Sequence, residues 1–380
     1  MEMKAQSSIG NMRNSGIELV KIIGMILIVI SHMTQTLCTP VTVIPDESYI
    51  VDLSAPTVNI QYLVLSILRY GGTIGNMLFF ISSAWFLVDS KKVDKEKWFF
   101  MLVEMYTISF VILILAYIFR SGDVDSGLIR ISLLPISYSF NWYVVCYLLF
   151  YPTHVYWNTI IESIGQKRHF RLAFALMFLY MIMNFIYDDM FFPSSLINWI
   201  MMYFIVAYVK KYLMKQVSDR KVSIILILGG LIGYIGIICL TNVIELKKSV
   251  AGKGLLYWNK NSNPFIFMFA LGLVCITANS EFKNRFINEF SRLSMLIYIT
   301  HENVIFRTYY RPLIIKWFYE KYGYDHILVG MMLLSLVLFV IDAVLCYLYV
   351  LLFQKHVRKL SKYVCDIVSE SWEDFESRVL

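Results

Sequence analysis

Charged residues are scarce in this chain, and the common sequence motifs of nucleotide and metal chemistry do not occur in it. Of its 380 residues, 58% are hydrophobic and 16% are charged, whereas soluble globular domains are about 45–50% apolar and about 25% charged. This composition excludes an ordinary soluble domain. The sequence has no GxxxxGK[ST] phosphate loop, GxGxxG turn, GxSxG elbow or HExxH helix. ATP-driven pumping, Rossmann cofactors and zinc hydrolysis therefore have no support in the sequence.

The cysteines do not form a metal-binding or disulfide pattern. No CxxC pair occurs, and most of the six cysteines fall within apolar segments: Cys38, Cys146, Cys239, Cys275, Cys346 and Cys365. We interpret them as small packing residues. The net charge of +7 does not indicate nucleic-acid binding, because the basic residues are not interleaved with aromatic residues on a soluble module. Neither a metal nor a nucleic-acid partner is therefore expected.

Long apolar segments recur up to residue 353 and predict an all-α, polytopic helical bundle in the cell membrane. Ten candidate spans are 17–38, 71–88, 97–119, 141–160, 170–187, 194–211, 222–241, 263–279, 294–306 and 327–353. The ninth span is short and is predicted to extend to about residue 315, and segment 56–70 is predicted to be a helix on the membrane surface. The predicted organisation is a cytoplasmic N-terminal segment at 1–16, a single transmembrane domain at 17–353 and a cytoplasmic tail at 354–380. The tail pattern is typical of an amphipathic helix and indicates no catalytic role.

The distribution of lysine and arginine predicts the orientation. With the N-terminus in the cytoplasm, the cytoplasmic segments hold 22 of these residues and the opposite side holds 11. Because cytoplasmic loops carry an excess of Lys and Arg, this bias predicts an even number of spans with both termini in the cytoplasm.

The first apolar segment carries the strongest indication of function. Glu18, Lys21 and His32 lie within it, although each charged group near the centre of a bilayer costs about 2.5–3.5 kcal/mol on insertion scales. Lys21 and His32 are eleven residues apart, so they point the same way along a helix, about 16 Å apart. The spacing predicts that both face one cavity, with Glu18 paired to Lys21. The other interpretation is a lysine that extends to the headgroups and a histidine that is only hydrogen-bonded.

The predicted donor-binding residues lie in and after the second span. Ser82 and Ser83 can form hydrogen bonds between helices. Four lysines follow between residues 91 and 97 and can meet an anionic ligand such as a phosphorylated cofactor, although a positive-inside loop also accounts for them. The predicted cofactor-binding residues are Lys21, Ser83, Lys91 and Lys92.

Two further segments supply predicted acceptor-binding residues. Tyr298, His301 and Glu302 share one helical face, where a His–Glu pair can orient an acceptor or hold a proton; polar contact between helices is the other interpretation. Trp142 lies at the start of a middle span, as part of an aromatic belt or as a platform on which a sugar stacks. The predicted substrate-binding residues are Trp142, Tyr298, His301 and Glu302.

In their order and spacing, these motifs resemble the integral-membrane acyltransferase family 3, which O-acylates surface polysaccharides and other extracytoplasmic acceptors. Its members carry an acidic residue, then Arg or Lys, ten residues and His in the first span, matched by Glu18, Lys21 and His32. The sequence FFISSAW at 79–85 and the Ser-x-x-x-Tyr-x-x-His pattern at 294–301 match two further motifs, and the likeness extends over about residues 14–353. Two positions depart from the family pattern. Lys21 replaces the commoner Arg, which removes bidentate recognition of phosphate, and Ala84 replaces Gly.

The resemblance implies acyl transfer across the membrane. The donor, acetyl-CoA in most such enzymes, is expected near Lys21 on the cytoplasmic side, and the acceptor is a hydroxyl group of a polysaccharide or lipid-linked glycan. His32 is expected to act as the general base, with Lys21 and Glu18 completing the catalytic set, or to form a transient acyl-imidazole. Ser83, Tyr298 and His301 are the candidate donors to the oxyanion. Membrane lipids are the other expected partners.

Two further functions remain open at this stage. A transporter or flippase would use Lys21 and His32 as a charge relay. A non-catalytic membrane scaffold would leave the charges within the span without a purpose.

Overall fold

Helices make up nearly all of the described chain. The structure is a computed structural model, and it describes residues 14–37, 60–120, 122, 124–138, 141–183, 195–248 and 262–379. About 89% is helical, and no strand occurs among the described residues. The all-α prediction is therefore confirmed.

The helices are labelled in chain order, and short π-helical turns and 3₁₀ turns join some of them. The α-helices are α1 Ser15–Leu37, α2 Ile60–Leu87, α3 Lys95–Arg120, α4 Ser126–Leu133, α5 Trp142–Phe150, α6 His154–Leu176, α7 Ser195–Tyr208, α8 Met214–Val217, α9 Arg220–Lys248, α10 Pro264–Ala278, α11 Arg285–Ser291, α12 Ser294–His301, α13 Arg311–Tyr322, α14 Ile327–Leu352 and α15 Gln354–Val379. The π-helical turns are Met177–Met183, Val209–Leu213 and Phe306–Tyr310, and the 3₁₀ turns are Tyr151–Thr153 and Tyr324–His326.

Six described segments are long and apolar enough to cross a membrane. They are Ser15–Leu37, Leu63–Leu87, Lys95–Phe119, Leu196–Val217, Arg220–Thr241 and Ile327–Leu352. A shorter apolar helix, Pro264–Ala278, accompanies them. A membrane protein with several spans is therefore supported, while the count of ten spans and the placement of both termini in the cytoplasm stay predictions.

Three boundaries differ from those predicted. The surface helix expected at 56–70 is wrong for residues 60–70, because α2 runs without a break from Ile60 to Leu87. The span expected at 294–306 ends earlier, since α12 stops at His301. The spans expected at 141–160 and 170–187 are separated at Gly165, whose φ of 68° interrupts α6; residues 184–187 lie outside the described residues.

The first helix lies inside the bundle and crosses α2 at close range. It contacts α2, α10, α11, α12, α13 and α14. A Cβ atom added at Gly24 would lie 3.2 Å from the carbonyl oxygen of Gly75. Small residues let membrane helices approach in this way, and the close crossing fixes the position of the polar residues of α1 relative to α2.

A second close crossing joins α9 and α10. A Cβ atom added at Gly230 would lie 2.5 Å from the backbone nitrogen of Phe269. Gly230 and Gly233 of the GGLIGYIG segment at 229–236 thus permit the close approach of α10, whereas a Cβ atom added at Gly236 would meet no atom within 4 Å.

Candidate active site

Glu18 and Lys21 form an ion pair one helical turn apart at the start of α1. Lys21 Nζ lies 2.6 Å from Glu18 Oε2, and the glutamate side chain is almost completely buried. The spacing of three residues brings the two groups to the same side of the helix. The pairing predicted from the sequence is therefore present.

His32 lies beside Glu302 near the other end of α1. His32 Nδ1 is 2.9 Å from Glu302 Oε1, and the imidazole is 15% exposed. Because Glu302 follows the last residue of α12, its side chain leaves the end of that helix toward α1. A carboxylate beside Nδ1 favours the tautomer that leaves Nε2 as a proton acceptor.

Two arginines bind the same carboxylate. Arg311, only 2% exposed, donates to Glu302 Oε1 at 2.6 Å and also to the backbone carbonyl of His301. Arg307 lies 3.4 Å from Oε2 and is 49% exposed. The π-helical turn Phe306–Tyr310 precedes Arg311, so the chain returns to Glu302 after leaving α12. Paired charges of this kind hold the buried carboxylate in its ionised form.

His301 forms a second histidine–carboxylate pair beside the first. Its ring stacks on that of His32 with centroids 5.6 Å apart and planes inclined by 8°. Its Nδ1 lies 3.1 Å from Asp342 Oδ2 of α14, and its buried Nε2 has no hydrogen-bond partner among the described residues. The stacked rings, with their carboxylates and arginines, form a buried cluster of His32, His301, Glu302, Arg307, Arg311 and Asp342.

The cluster can be compared with a metal site. Ligand atoms of His32, His301 and Glu302 all lie within 4.8 Å of one another, and two histidines with one glutamate are a ligand set known for zinc. However, guanidinium groups already bind both oxygens of Glu302, and a cation there would meet their charge. The arrangement fits a hydrogen-bonded base better than a metal site.

A large cavity lies next to this cluster. It has a volume of about 2000 Å³ and is lined by residues of α1, α2, α3, α5, α11, α12, α14 and α15. Glu18 and Lys21 line it, and so do Ser83 and Tyr298. Its polar lining also includes Ser82, whose buried hydroxyl has no hydrogen-bond partner among the described residues.

Lys21 lines this cavity, whereas His32, which was expected to face the same cavity, does not. The lining includes Ile28 and Tyr298 but not His32, His301, Glu302 or Trp142. Since Ile28 and Tyr298 each precede a cluster residue by four positions, the lining stops about 6 Å, one helical turn, short of the base. Trp142 contacts the ring of Tyr143, and it is Tyr143 that lines the cavity.

Lys91 and Lys92, which were predicted to bind the donor, lie outside this cavity. Both side chains are exposed in the connection between α2 and α3 and do not line the cavity. Asp94 caps α3 by accepting a hydrogen bond from the backbone of Lys97 at 2.9 Å. The chain turns at this cap, so Lys97 lines the cavity and the two earlier lysines do not.

Several site residues escaped the sequence reasoning although signals for them existed. Asp342 is a carboxylate within an otherwise apolar span, and such residues are functional candidates by default. Arg307 and Arg311 lie four residues apart in a segment predicted to extend the ninth span. The basic side chains of α15 also line the cavity, although the tail was assigned no role.

Comparison with known proteins identifies a family over most of the chain. A family model described as an acyltransferase domain matches residues 14–351. The matched region contains the whole buried cluster and ends before α15. Searches of curated proteins and of solved structures found no match.

Proposed function

The chain belongs to the membrane acyltransferase family 3, and on this basis we propose which group it transfers and between which partners. The donor is cytoplasmic acyl-CoA, with acetyl as the acyl group. The acceptor is a hydroxyl group of an extracytoplasmic polysaccharide or lipid-linked glycan, and the site of action is the cell membrane. The observation that carries this proposal is the ion-pair contact of 2.9 Å between His32 Nδ1 and Glu302 Oε1.

His32 acts as the general base in this proposal. Its Nε2 takes the proton of the acceptor hydroxyl while the hydroxyl oxygen attacks the thioester carbonyl. The carbon–sulfur bond of the tetrahedral intermediate then breaks, and the thiolate of CoA takes the proton back from His32. The products are the acyl ester of the acceptor and free CoA.

Glu302 stabilises the proton on His32 during this cycle. The cluster has two arginines and two carboxylates, so its formal charge is zero while both histidines are neutral. Protonation of His32 adds one positive charge beside Glu302, where the attraction is strong because little water is present. This arrangement supports His32 as the base, because Glu302 balances the added charge and no ion from the solvent is needed.

The two sides of the membrane have separate roles. The cationic cavity supports binding of the polyanionic donor, and Lys21 contributes to it from α1. Ile28 and Tyr298 line the cavity one helical turn before His32 and Glu302. In this proposal, the thioester reaches His32 when the helical turns that carry Ile28 and Tyr298 move. Arg307, half exposed and bound to Glu302, marks the solvent side of the cluster from which the acceptor enters.

Replacement of His32 tests the proposal. We expect His32→Gln, in membranes that carry the native acceptors and receive labelled acetyl-CoA, to lower transfer of label to glycan by about 100- to 10,000-fold, the usual contribution of a general base. His326→Gln is the matched control, because His326 is exposed and lies outside the cluster. Equal transfer by wild type and His32→Gln would refute the assigned base, and no transfer by wild type would refute the function.

A further inference from the structure

The mouth of the cavity has an excess of positive charge that its own acidic residues do not neutralise. Eight basic residues line the cavity, together with five acidic ones. Glu18 and Glu289 each neutralise one of these basic residues, Lys21 and Arg292, and buried Glu104 accepts a hydrogen bond from Gln354. Eight basic against five acidic residues leave a formal excess of three positive charges. The basic lining residues are Lys21, Lys97, Arg285, Arg292, Lys355, Arg358, Lys359 and Lys362.

Half of these basic residues belong to α15, which has one buried face and a neighbouring face of exposed lysines. Val357, Ser361 and Cys365 are buried at intervals of four residues, and α15 packs against α3 and α14. Lys355, Lys359 and Lys362 follow the same helical spacing on a neighbouring face, and all three are exposed and line the cavity. No carboxylate in the described part of the chain pairs with any of these three lysines.

Arg358 strengthens the attachment of this face to the cavity wall. Its guanidinium lies over the ring of Phe100 in α3, 4.5 Å from the ring centroid. Gln354, one turn earlier, donates to Glu104 at 3.1 Å. The lysines are therefore held at the cavity by contacts that do not use their own charges.

We propose that α15, which lies beyond the matched family domain, forms a phosphate-binding wall for the nucleotide end of the acyl donor. The inference rests on the proposed function, from which it takes the identity of the donor, a nucleotide with a diphosphate and a further phosphate. Lysine ammonium groups bind phosphate oxygens as point charges. With the phosphates at α15, the acyl end extends along the cavity toward Ser82, Tyr298 and the cluster.

The position of the lysines favours a ligand in the cavity over an anionic lipid headgroup. Leu360 and Ile367 are exposed and apolar, and at about 100° per residue they lie roughly 120° around α15 from the mean direction of the three lysines. A helix on the membrane surface directs such an apolar face to lipid. The lysines instead line the cavity that leads toward His32.

A charge-neutralising variant of α15 tests this wall. The protein is placed in phosphatidylcholine nanodiscs, and binding of acetyl-CoA, adenosine 3′,5′-bisphosphate and pantetheine is measured. We expect Lys359→Gln/Lys362→Gln to weaken binding of both phosphorylated probes by about tenfold or more, because hydrogen bonds to charged groups are among the strong ones. Binding of uncharged pantetheine should not change.

The control is Lys167→Gln/Arg168→Gln, which removes the same charge from exposed basic residues outside the cavity. It should leave all three affinities at wild-type values. Equal weakening by both variants, unchanged binding of the bisphosphate in the α15 variant, or no binding of bisphosphate to the wild type would each overturn the proposal. Size-exclusion profiles confirm that both variants are folded.

Two further arms separate the sources of phosphate and the two proposals. If nanodiscs containing phosphatidylglycerol reveal a lipid contact that the α15 variant loses while it keeps bisphosphate affinity, the wall binds headgroups and the proposal fails. If the wild type binds bisphosphate through α15 but transfers no acyl group, the phosphate wall stands and the proposed function fails.

Discussion

Glu302 is bound by three side chains, and each constrains it differently. His32 and Arg311 approach the same oxygen at 2.9 Å and 2.6 Å, and Arg307 approaches the other oxygen at 3.4 Å. The arginines fix where the carboxylate lies, and the carboxylate in turn fixes the ring of His32. Glu302 is therefore a positioning residue as well as the counter-charge of the base.

Replacement of Glu302 should separate these two roles. Glu302→Gln keeps the shape but leaves Arg311 buried without its counter-charge, and breaking a buried pair in this way costs about 3–5 kcal/mol. Glu302→Gln/Arg311→Gln removes both charges and should regain most of this stability. We expect kcat to stay lowered by about 100-fold in the double variant, because general-base catalysis is impaired, with KM for the donor unchanged.

Thermal unfolding and transfer kinetics measure the two effects. Recovery of both stability and kcat in the double variant would show that Glu302 serves the fold alone. A raised KM for the donor would instead place Glu302 in donor binding.

The sequence predicted His32 and Glu302 separately but not their contact. His32 was found from its spacing to Lys21, and Glu302 from its place beside His301 on a predicted helical face. The two residues are 270 positions apart, and a single sequence holds no signal for a contact over that separation. Arg311 was missed because its segment was taken to continue an apolar span, whereas the chain turns back at Glu302.

The crossing of α1 and α2 limits how the active-site elements can move. A Cβ atom added at Gly75 would lie 2.6 Å from Cγ1 of Ile28 and would also meet the backbone of Gly24. Ile28 is one turn from His32, so any displacement at this crossing is passed to the base. Two glycines thus set the distance between the donor cavity and the cluster.

Gly75→Ala should therefore destabilise the protein and lower transfer. We expect a loss of about 1–3 kcal/mol, the usual cost of overpacking, measured as a lower unfolding temperature. Gly71→Ala is the matched control on the same helix, since its added Cβ would lie 3.8 Å from the nearest atom, the carbonyl oxygen of Leu27. Equal unfolding temperatures for the two variants would contradict the close crossing.

Helix boundaries were predicted correctly where an apolar segment ends at a group of charged residues. They were missed where no such group marks the end of the segment. The bounds of α3 and α14 agree closely with predicted spans 97–119 and 327–353. In contrast, α2 starts at Ile60, because the helix continues without a break through residue 71, where the predicted span began. For α15, the amphipathic pattern is visible in the sequence, but only tertiary packing against α3 directs its lysines to the cavity.

At the level of the whole molecule, three segments predicted to be cytoplasmic meet at one place. Residues of 89–97, 279–293 and the tail all line the same cavity mouth. Positive-inside reasoning placed them on one side without any knowledge of their contacts. Their convergence agrees with a cytoplasmic donor.

Single cysteines test this orientation. We expect Glu370→Cys to react with a membrane-impermeant maleimide in inverted vesicles only, and Lys321→Cys to react in intact cells only, each above the wild-type background. Both positions are exposed, so access is decided by the side of the membrane. Labelling of Glu370→Cys in intact cells would reverse the predicted topology.

On the proposed function, the turn between the cavity and His32 also has to keep the membrane closed to ions. A water-filled passage joining the cavity to the half-exposed Arg307 side would let protons follow the membrane potential, which drives each elementary charge with about 2.3 kcal/mol per 100 mV. Ile28 and Tyr298, both buried, lie one helical turn before His32 and Glu302, between the cavity and the cluster. We therefore expect the proposed transfer to proceed without dissipating the proton gradient.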